Sequence, residues 1–143
     1  MKLMIQVVAL GTFILCFCCK AKEISHNNNQ IAATPIIIDK SLTKVYDASH
    51  KIDTAYINGN ILTIKLSCFN ICQTDTFELV GNGRFAKSNP PITAAFIRRK
   101  THYLACKMNV QKELKFDVSA LKYPLVNKVI LNLDEQRKVV YNY

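Results

Sequence analysis

The stretch NGNILTIKLSC, residues 58–68, decides the fold. It opens with Asn58-Gly59, the dipeptide most favoured in a two-residue β-hairpin turn. After the turn, every second residue from 62 to 68 is apolar and the residues between them are polar. This alternation is typical of a strand with one face in a core and the other in water. The stretch therefore predicts a hairpin whose strands cover residues 54–57 and 61–68.

The same period-two pattern recurs along the chain, with Gly, Pro or Asn between the runs. Further strands are predicted at about residues 35–39, 75–80, 92–98, 114–118, 129–133 and 139–143. No stretch shows the three- and four-residue apolar spacing of an amphipathic helix. Short strands about ten residues apart are typical of a β-sandwich. The sequence therefore predicts an all-β domain over residues 35–143, a single antiparallel, immunoglobulin-like β-sandwich of about seven strands.

The N-terminal segment has the form of a signal peptide. Lys2 precedes a largely apolar run, residues 3–19, which is shorter than the roughly 20 residues that span a bilayer. The run ends in Cys16, Cys18 and Cys19 and then turns polar, as in bacterial lipoprotein signals. Cys19 is the predicted lipidation residue, with Cys16 and Cys18 as alternatives. Ordinary secretion and an uncleaved membrane anchor are the competing interpretations of the whole segment.

These features predict three regions. Residues 1–18 form a lipoprotein signal peptide, residues 19–34 a lipidated tether, and residues 35–143 the β-sandwich domain. Each lipid methylene buried in a membrane contributes about 0.8 kcal/mol, so the several acyl chains of a lipoprotein give stable attachment. The expected location is the bacterial cell envelope, outside the cytoplasm and anchored to a membrane, expected to be the outer membrane.

Three cysteines follow the N-terminal segment: Cys68, Cys72 and Cys106. In an oxidising compartment, an odd number implies one bridge and one remaining thiol. Cys72 lies just past a predicted strand and Cys106 in an irregular region, so these two are the predicted disulfide, while the alternation points Cys68 into the core. The alternative is a metal- or thiol-dependent site built from the three cysteines and His102. Because a fourth ligand is not apparent, no metal site or cofactor is predicted.

A resemblance to a family covers most of residues 54–133. Five features resemble, in the same order, those of a family of small, functionally uncharacterised bacterial lipoproteins with a C-terminal β-sandwich. They are NGNILTIKLSCFNICQTDTFELVGNG (58–83), Pro90-Pro91, the later Cys106, ELKFDVSALK (113–122) and KVILNL (128–133). The family pattern has a Ser-Gly-Gly-Cys loop followed by a histidine. This chain has Asn70 and Ile71 at the positions of the two glycines and Asp75 at the position of the histidine. The resemblance implies an envelope β-sandwich and a Cys72–Cys106 disulfide.

The charge balance favours acidic partners. Nineteen Lys and Arg against ten Asp and Glu give a net charge of +9. The longest basic cluster is Arg98-Arg99-Lys100, hereafter the basic triplet, which is a candidate binding site for phosphate or a charged glycan; a solvated basic loop is the alternative interpretation. No nucleic-acid motif or focused basic patch with aromatics is present, so nucleic-acid binding is not predicted.

No catalytic signature stands out. The chain lacks a Gly-x-Ser-x-Gly nucleophile turn, and its carboxylates in predicted strands fall at solvent-facing positions. We therefore expect a protein that is not an enzyme, a lipid-anchored binding or structural module of the envelope. The membrane is its expected partner, with envelope proteins and acidic glycans as further candidates.

Overall fold

The computed structural model describes residues 32–42, 49–100 and 106–143. These residues contain nine strands, a single 3₁₀ turn (Ser119–Leu121) and no α-helix, so the all-β prediction is confirmed. The strands are β1 (Thr34–Pro35), β2 (Ile37–Ile38), β3 (His50–Asn58), β4 (Ile61–Ile71), β5 (Thr76–Ala86), β6 (Ile92–Lys100), β7 (Met108–Asp117), β8 (Lys128–Asn132) and β9 (Lys138–Asn142). The predicted signal peptide, Cys19 and most of the tether lie outside the described residues.

The hairpin that the sequence predicts is formed by β3 and β4. Its last pair is Asn58 with Ile61, and Gly59 between them has a φ of +57°, a backbone conformation that suits glycine because it lacks a Cβ. The predicted core face of β4 is buried; on the other face Lys65 is exposed as predicted, but Ser67 is half-buried and Thr63 is buried.

The strands form two sheets. The first sheet has the order β1-β7-β4-β3, and the second has the order β2-β5-β6-β8-β9. Both contribute to one buried cluster, so they pack face to face. From the first sheet the cluster takes Ile52, Leu62, Ile64, Leu66, Cys68, Ile71 and Phe116, and from the second Phe77, Leu79, Ala95, Ile97, Leu131, Val139 and Tyr141.

The prediction of a purely antiparallel domain is wrong. Three pairings are parallel: β1 with β7, β2 with β5, and β6 with β8. The last arises because the chain leaves the second sheet after β6, adds β7 to the first sheet, and returns in the original direction as β8. The described residues contain nine strands, more than the predicted number of about seven, and one of the extra strands arises because a predicted strand is divided in two.

The divided strand is the first one. Instead of a single strand over 35–39, residues 34–35 pair with β7 and residues 37–38 pair with β5. Ile36 lies between them, is 7% exposed, and donates its amide N–H to the Asp117 carbonyl at 3.0 Å. This short segment therefore joins the two sheets along one side of the core.

On the opposite side, the outer strand of the first sheet is β3. The Arg137 guanidinium, from the turn between β8 and β9, donates to the carbonyl oxygens of Asp53 at 2.8 Å and Ile52 at 2.9 Å. The pairing register of β3 with β4 shifts between Ile52 and Thr54. Arg137 thus bonds the β3 backbone where its ladder is irregular.

The strand directions define two ends of the domain. The disulfide end contains the end of β4, the start of β5, the end of β6 and the start of β7. The loop end contains the β3–β4 turn and the connections β5–β6 and β7–β8. The two ends are separated by the length of β4, an eleven-residue strand, or about 35 Å at the usual rise per residue.

Candidate functional site at the disulfide end

Cys72 and Cys106 lie at disulfide distance, with an S–S separation of 2.01 Å and Cα atoms 4.9 Å apart. The sheet register brings them together: β4 and β7 are antiparallel neighbours whose last pair is Ile71 with Met108. Cys72 follows the first of these residues and Cys106 shortly precedes the second. Cys72 is 2% exposed, so one half of the bridge is in the interior of the domain.

Beside the bridge, residues 72–75 form a tight turn closed by Asp75. The Cys72 amide donates to Asp75 Oδ2 at 2.8 Å, and the Asp75 amide donates to the Cys72 carbonyl at 3.0 Å. The Asp75 side chain is fully buried. A buried carboxylate needs a charged or hydrogen-bonding partner to offset its lost hydration, and it has both here.

Arg99 is the charged partner of Asp75. Its Nε donates to Asp75 Oδ2 at 2.9 Å and its Nη2 donates to the same oxygen. From the first sheet, Lys112 Nζ donates to the carbonyl oxygens of Gln73 at 2.8 Å and Asp75 at 2.7 Å. Two cations from different sheets therefore bind the 72–75 turn, and the turn in turn fixes one half of the disulfide.

The rest of the basic triplet pairs with Glu78. Residues 98–100 are the end of strand β6 rather than a loop, and Glu78 is the direct cross-strand neighbour of Arg98. Arg98 Nη2 and Nε donate to Glu78 Oε2 at 2.8 and 3.2 Å, and Lys100 Nζ lies 3.1 Å from Glu78 Oε1. The hydrogen bonds from Arg98 and then Lys100 hold the pKa of Glu78 below its usual value.

The triplet is therefore largely neutralised within the fold. Its three cations face two carboxylates, Asp75 and Glu78, which leaves a local excess of one positive charge. The Arg99 side chain is only 16% exposed, whereas those of Arg98 and Lys100 are 40% and 64% exposed. An acidic ligand would meet Arg98 and Lys100, and it would have to compete with Glu78 for them.

Two further residues of the alternative metal- or thiol-dependent site remain, Cys68 and His102. Cys68 is 1% exposed and belongs to the core cluster, where the alternation predicts it, and His102 lies outside the described residues. His50, the cross-strand neighbour of Cys68, packs edge-on against the Phe77 ring, with centroids 5.9 Å apart. In the part of the chain that the structure describes, no group of three or more His, Cys, Asp or Glu is arranged to hold a metal ion.

Sequence reasoning missed the role of Asp75. The only signal was its position three residues after a cysteine at a strand end, a spacing at which an aspartate side chain readily accepts a hydrogen bond from a nearby backbone amide. Its pairing with Arg99, twenty-four residues away, depends on the register of β5 against β6, which the sequence does not specify.

No protein-family model, curated protein or solved structure matches this chain. Within the described ranges, no helix is long and apolar enough to cross a membrane.

Proposed function

We propose that the protein is a lipid-anchored component of the bacterial cell envelope and that its domain, an immunoglobulin-like β-sandwich, is a non-catalytic binding or structural module. The observation that carries this proposal is the Cys72–Cys106 bond. Disulfides persist in oxidising compartments such as the envelope and are rare in the cytosol. A small domain also benefits from such a bond because its core is limited.

The proposed anchor is the lipidated Cys19. Its support is the sequence order of Lys2, an apolar run over residues 3–19, and an immediate change to polar residues. The residues that follow lead into β1 at Thr34, so the tether has about fifteen residues. A flexible chain of that length has a root-mean-square span of about 20 Å, which is enough to hold the domain clear of the lipid headgroups.

The immunoglobulin-like description is supported by the two sheets, of four and five strands, that face each other across one core. The proposed partners are envelope proteins or acidic glycans, and Arg98 and Lys100 are the cations of the triplet that such a partner would reach. The metal- or thiol-dependent alternative requires thiolates at Cys72 and Cys106. In the oxidised protein these sulfurs are bonded to each other and supply none.

Mass spectrometry of the protein extracted from membranes tests the proposal. We expect a mature chain beginning at Cys19, a triacyl mass addition on that residue, and a two-hydrogen deficit in the peptides that contain Cys72 and Cys106. Cys19→Ser should block processing, whereas the matched variants Cys16→Ser and Cys18→Ser should still be processed. An unmodified chain with residues 1–18 intact in the soluble fraction would overturn the anchor. Free thiols with bound zinc would overturn the disulfide.

A further inference from the structure

The connection from β7 to β8 presents apolar side chains to solvent at the loop end. Residues 122–128 read KYPLVNK. Leu125 is 102% exposed, and Tyr123 and Val126 beside it are 38% and 37% exposed. A leucine that is completely exposed gains no stabilisation from burial in the described domain. Isolated exposed apolar residues are common, but a contiguous group is typical of an interaction site.

The loop also holds Leu125 in an unfavourable backbone conformation. Its φ of +72° is in the left-handed region, where the Cβ of an L-residue is crowded. The base of the loop is fixed by Tyr143, whose hydroxyl accepts from the Tyr123 amide at 2.7 Å and donates to the Tyr123 carbonyl at 3.0 Å. The Tyr123 ring packs on Phe85, with centroids 4.9 Å apart. The fold therefore positions Leu125 outward although burial of its side chain contributes nothing to the core.

The charges along the loop are all positive. Lys122 and Lys128 bracket the apolar residues, and no Asp or Glu occurs between Val118 and Leu133; Asp117, just before this stretch, interacts electrostatically with Lys122. The neighbouring β5–β6 connection adds Lys87, and its Asn89-Pro90-Pro91 segment borders the same open groove as Leu125. An apolar tip bracketed by lysines is complementary to one kind of surface in particular, a bilayer with anionic headgroups.

We infer that the 122–128 loop is a lipid-contact site. Leu125 and Val126 enter the acyl boundary of the bilayer, Tyr123 lies at the headgroup level, where tyrosine is enriched, and Lys122 and Lys128 meet anionic lipid. The inference rests on the proposed lipid anchor, which keeps the domain next to a membrane.

The entry point of the chain is compatible with this orientation. Thr34 pairs with Phe116 and Pro35 with Asp117, the last residue of β7. The tether therefore joins the first sheet close to the strand end from which the 118–127 connection leaves. With the loop end on the bilayer, the disulfide end and its basic triplet face away from the membrane, where a soluble partner meets them.

Tryptophan fluorescence tests this orientation, because the natural chain has no tryptophan. Leu125→Trp introduces a single probe at the loop end. Met108→Trp is the matched control at the disulfide end, since Met108 is also exposed, at 46%. Both full-length lipidated variants are reconstituted in phosphatidylcholine vesicles, with or without phosphatidylglycerol, that contain acyl chains carrying a quencher. A change in electrophoretic mobility when reductant is added confirms that each variant keeps its disulfide.

In anionic vesicles, we expect the probe of the Leu125→Trp variant to be quenched several-fold more strongly than the probe of the Met108→Trp variant, and its emission to be blue-shifted. The difference should shrink in neutral vesicles and when Lys122→Glu and Lys128→Glu are added. In chains that lack the covalent lipid anchor, Leu125→Ala should lower the affinity for anionic vesicles about tenfold, which is the effect of removing one leucine side chain from an apolar phase.

Equal quenching of the two probes would overturn the inference. So would a blue shift of the Leu125→Trp variant that grows with protein concentration in the absence of vesicles, because the loop would then bind a second copy of the chain. Flotation with vesicles reports the anchor and is the same for both variants, whereas the ratio of the two quenching values reports the loop. Failure of the anchor and failure of the loop contact are thus distinguishable.

Discussion

Removing the Cys72–Cys106 bond should destabilise the domain strongly. The two residues are 34 positions apart, and the loop between them includes all of β5 and β6. Cross-linking a loop of that length lowers the entropy of the unfolded chain by about 13 cal/mol/K, or roughly 4 kcal/mol at 25 °C. Domains of this size are stable by only about 5–15 kcal/mol. The bond therefore contributes a large fraction of the free energy of unfolding.

Equilibrium urea denaturation of the domain measures this contribution. Cys72→Ala/Cys106→Ala avoids a buried hydroxyl at position 72 and should lower the midpoint by about 2–4 M, given urea m values of about 1–2 kcal/mol/M. Reduced wild type should match the double variant. Cys68→Ala is the matched control, because Cys68 lies in the core outside the bridge; that variant should lose the same additional stability on reduction as wild type does.

Two results would refute this reasoning. One is a loss below about 1 kcal/mol on reduction of wild type, which would mean that the unfolded chain is little restricted by the bond. The other is a Cys68→Ala protein that no longer responds to reductant, which would mean that Cys68 takes part in the bridge.

Two further predictions concern the ion pairs at the same end. Asp75→Asn leaves Arg99, whose side chain is 16% exposed, without its carboxylate partner and should lower the free energy of unfolding by about 3 kcal/mol. Glu78→Gln changes a more exposed ion pair and should lower the free energy of unfolding by less than about 1 kcal/mol. Equal losses of the two variants in urea denaturation would contradict this difference. The pKa of Glu78 is lowered from its ordinary 4.5 by Arg98 first, so the Glu78 pairing stabilises the fold above that pH and is lost as pH falls through the folded-state pKa. The stability difference between wild type and Glu78→Gln should therefore be constant near neutral pH and shrink below about pH 4.5, and a difference that grows on acidification would exclude the stated role of Glu78.

The sequence predicted the features that depend on neighbouring residues. The Asn58-Gly59 turn and the alternation along β4 are local signals, and both appear in the structure. The sequence predicts a strand that ends at residue 80, just before Gly81 and Gly83, but β5 continues to Ala86, and its pairing with β6 shifts register between Gly81 and Phe85.

The reason lies in what these two glycines do. A Cβ on Gly81 would lie 3.2 Å from the Ala94 carbonyl oxygen, and Gly83 has a φ of +65°. Gly81 permits the backbone of β6 to approach closely, and Gly83 permits an irregular hydrogen-bond ladder within one continuous strand. A glycine pattern of this kind looks the same as a turn when the partner strand is unknown.

Pairings between residues far apart in the chain could not be predicted from the sequence for a related reason. The three parallel pairings and the Asp75–Arg99 ion pair join residues far apart in the chain. Each depends on which sheet a strand joins, and alternating apolar residues are compatible with either sheet. The exposed Leu125 was missed because an apolar residue after a proline, in a connection, gives no periodic signal.

Arg137 has a consequence for neighbouring molecules. An outer strand with unused backbone groups can add a strand from another copy, which leads to aggregation. Proteins confined to a membrane surface, as proposed here, meet one another far more often than in free solution. By occupying two carbonyl oxygens of β3, the guanidinium removes acceptors that such an incoming strand would need, so strand addition is disfavoured at this point of β3.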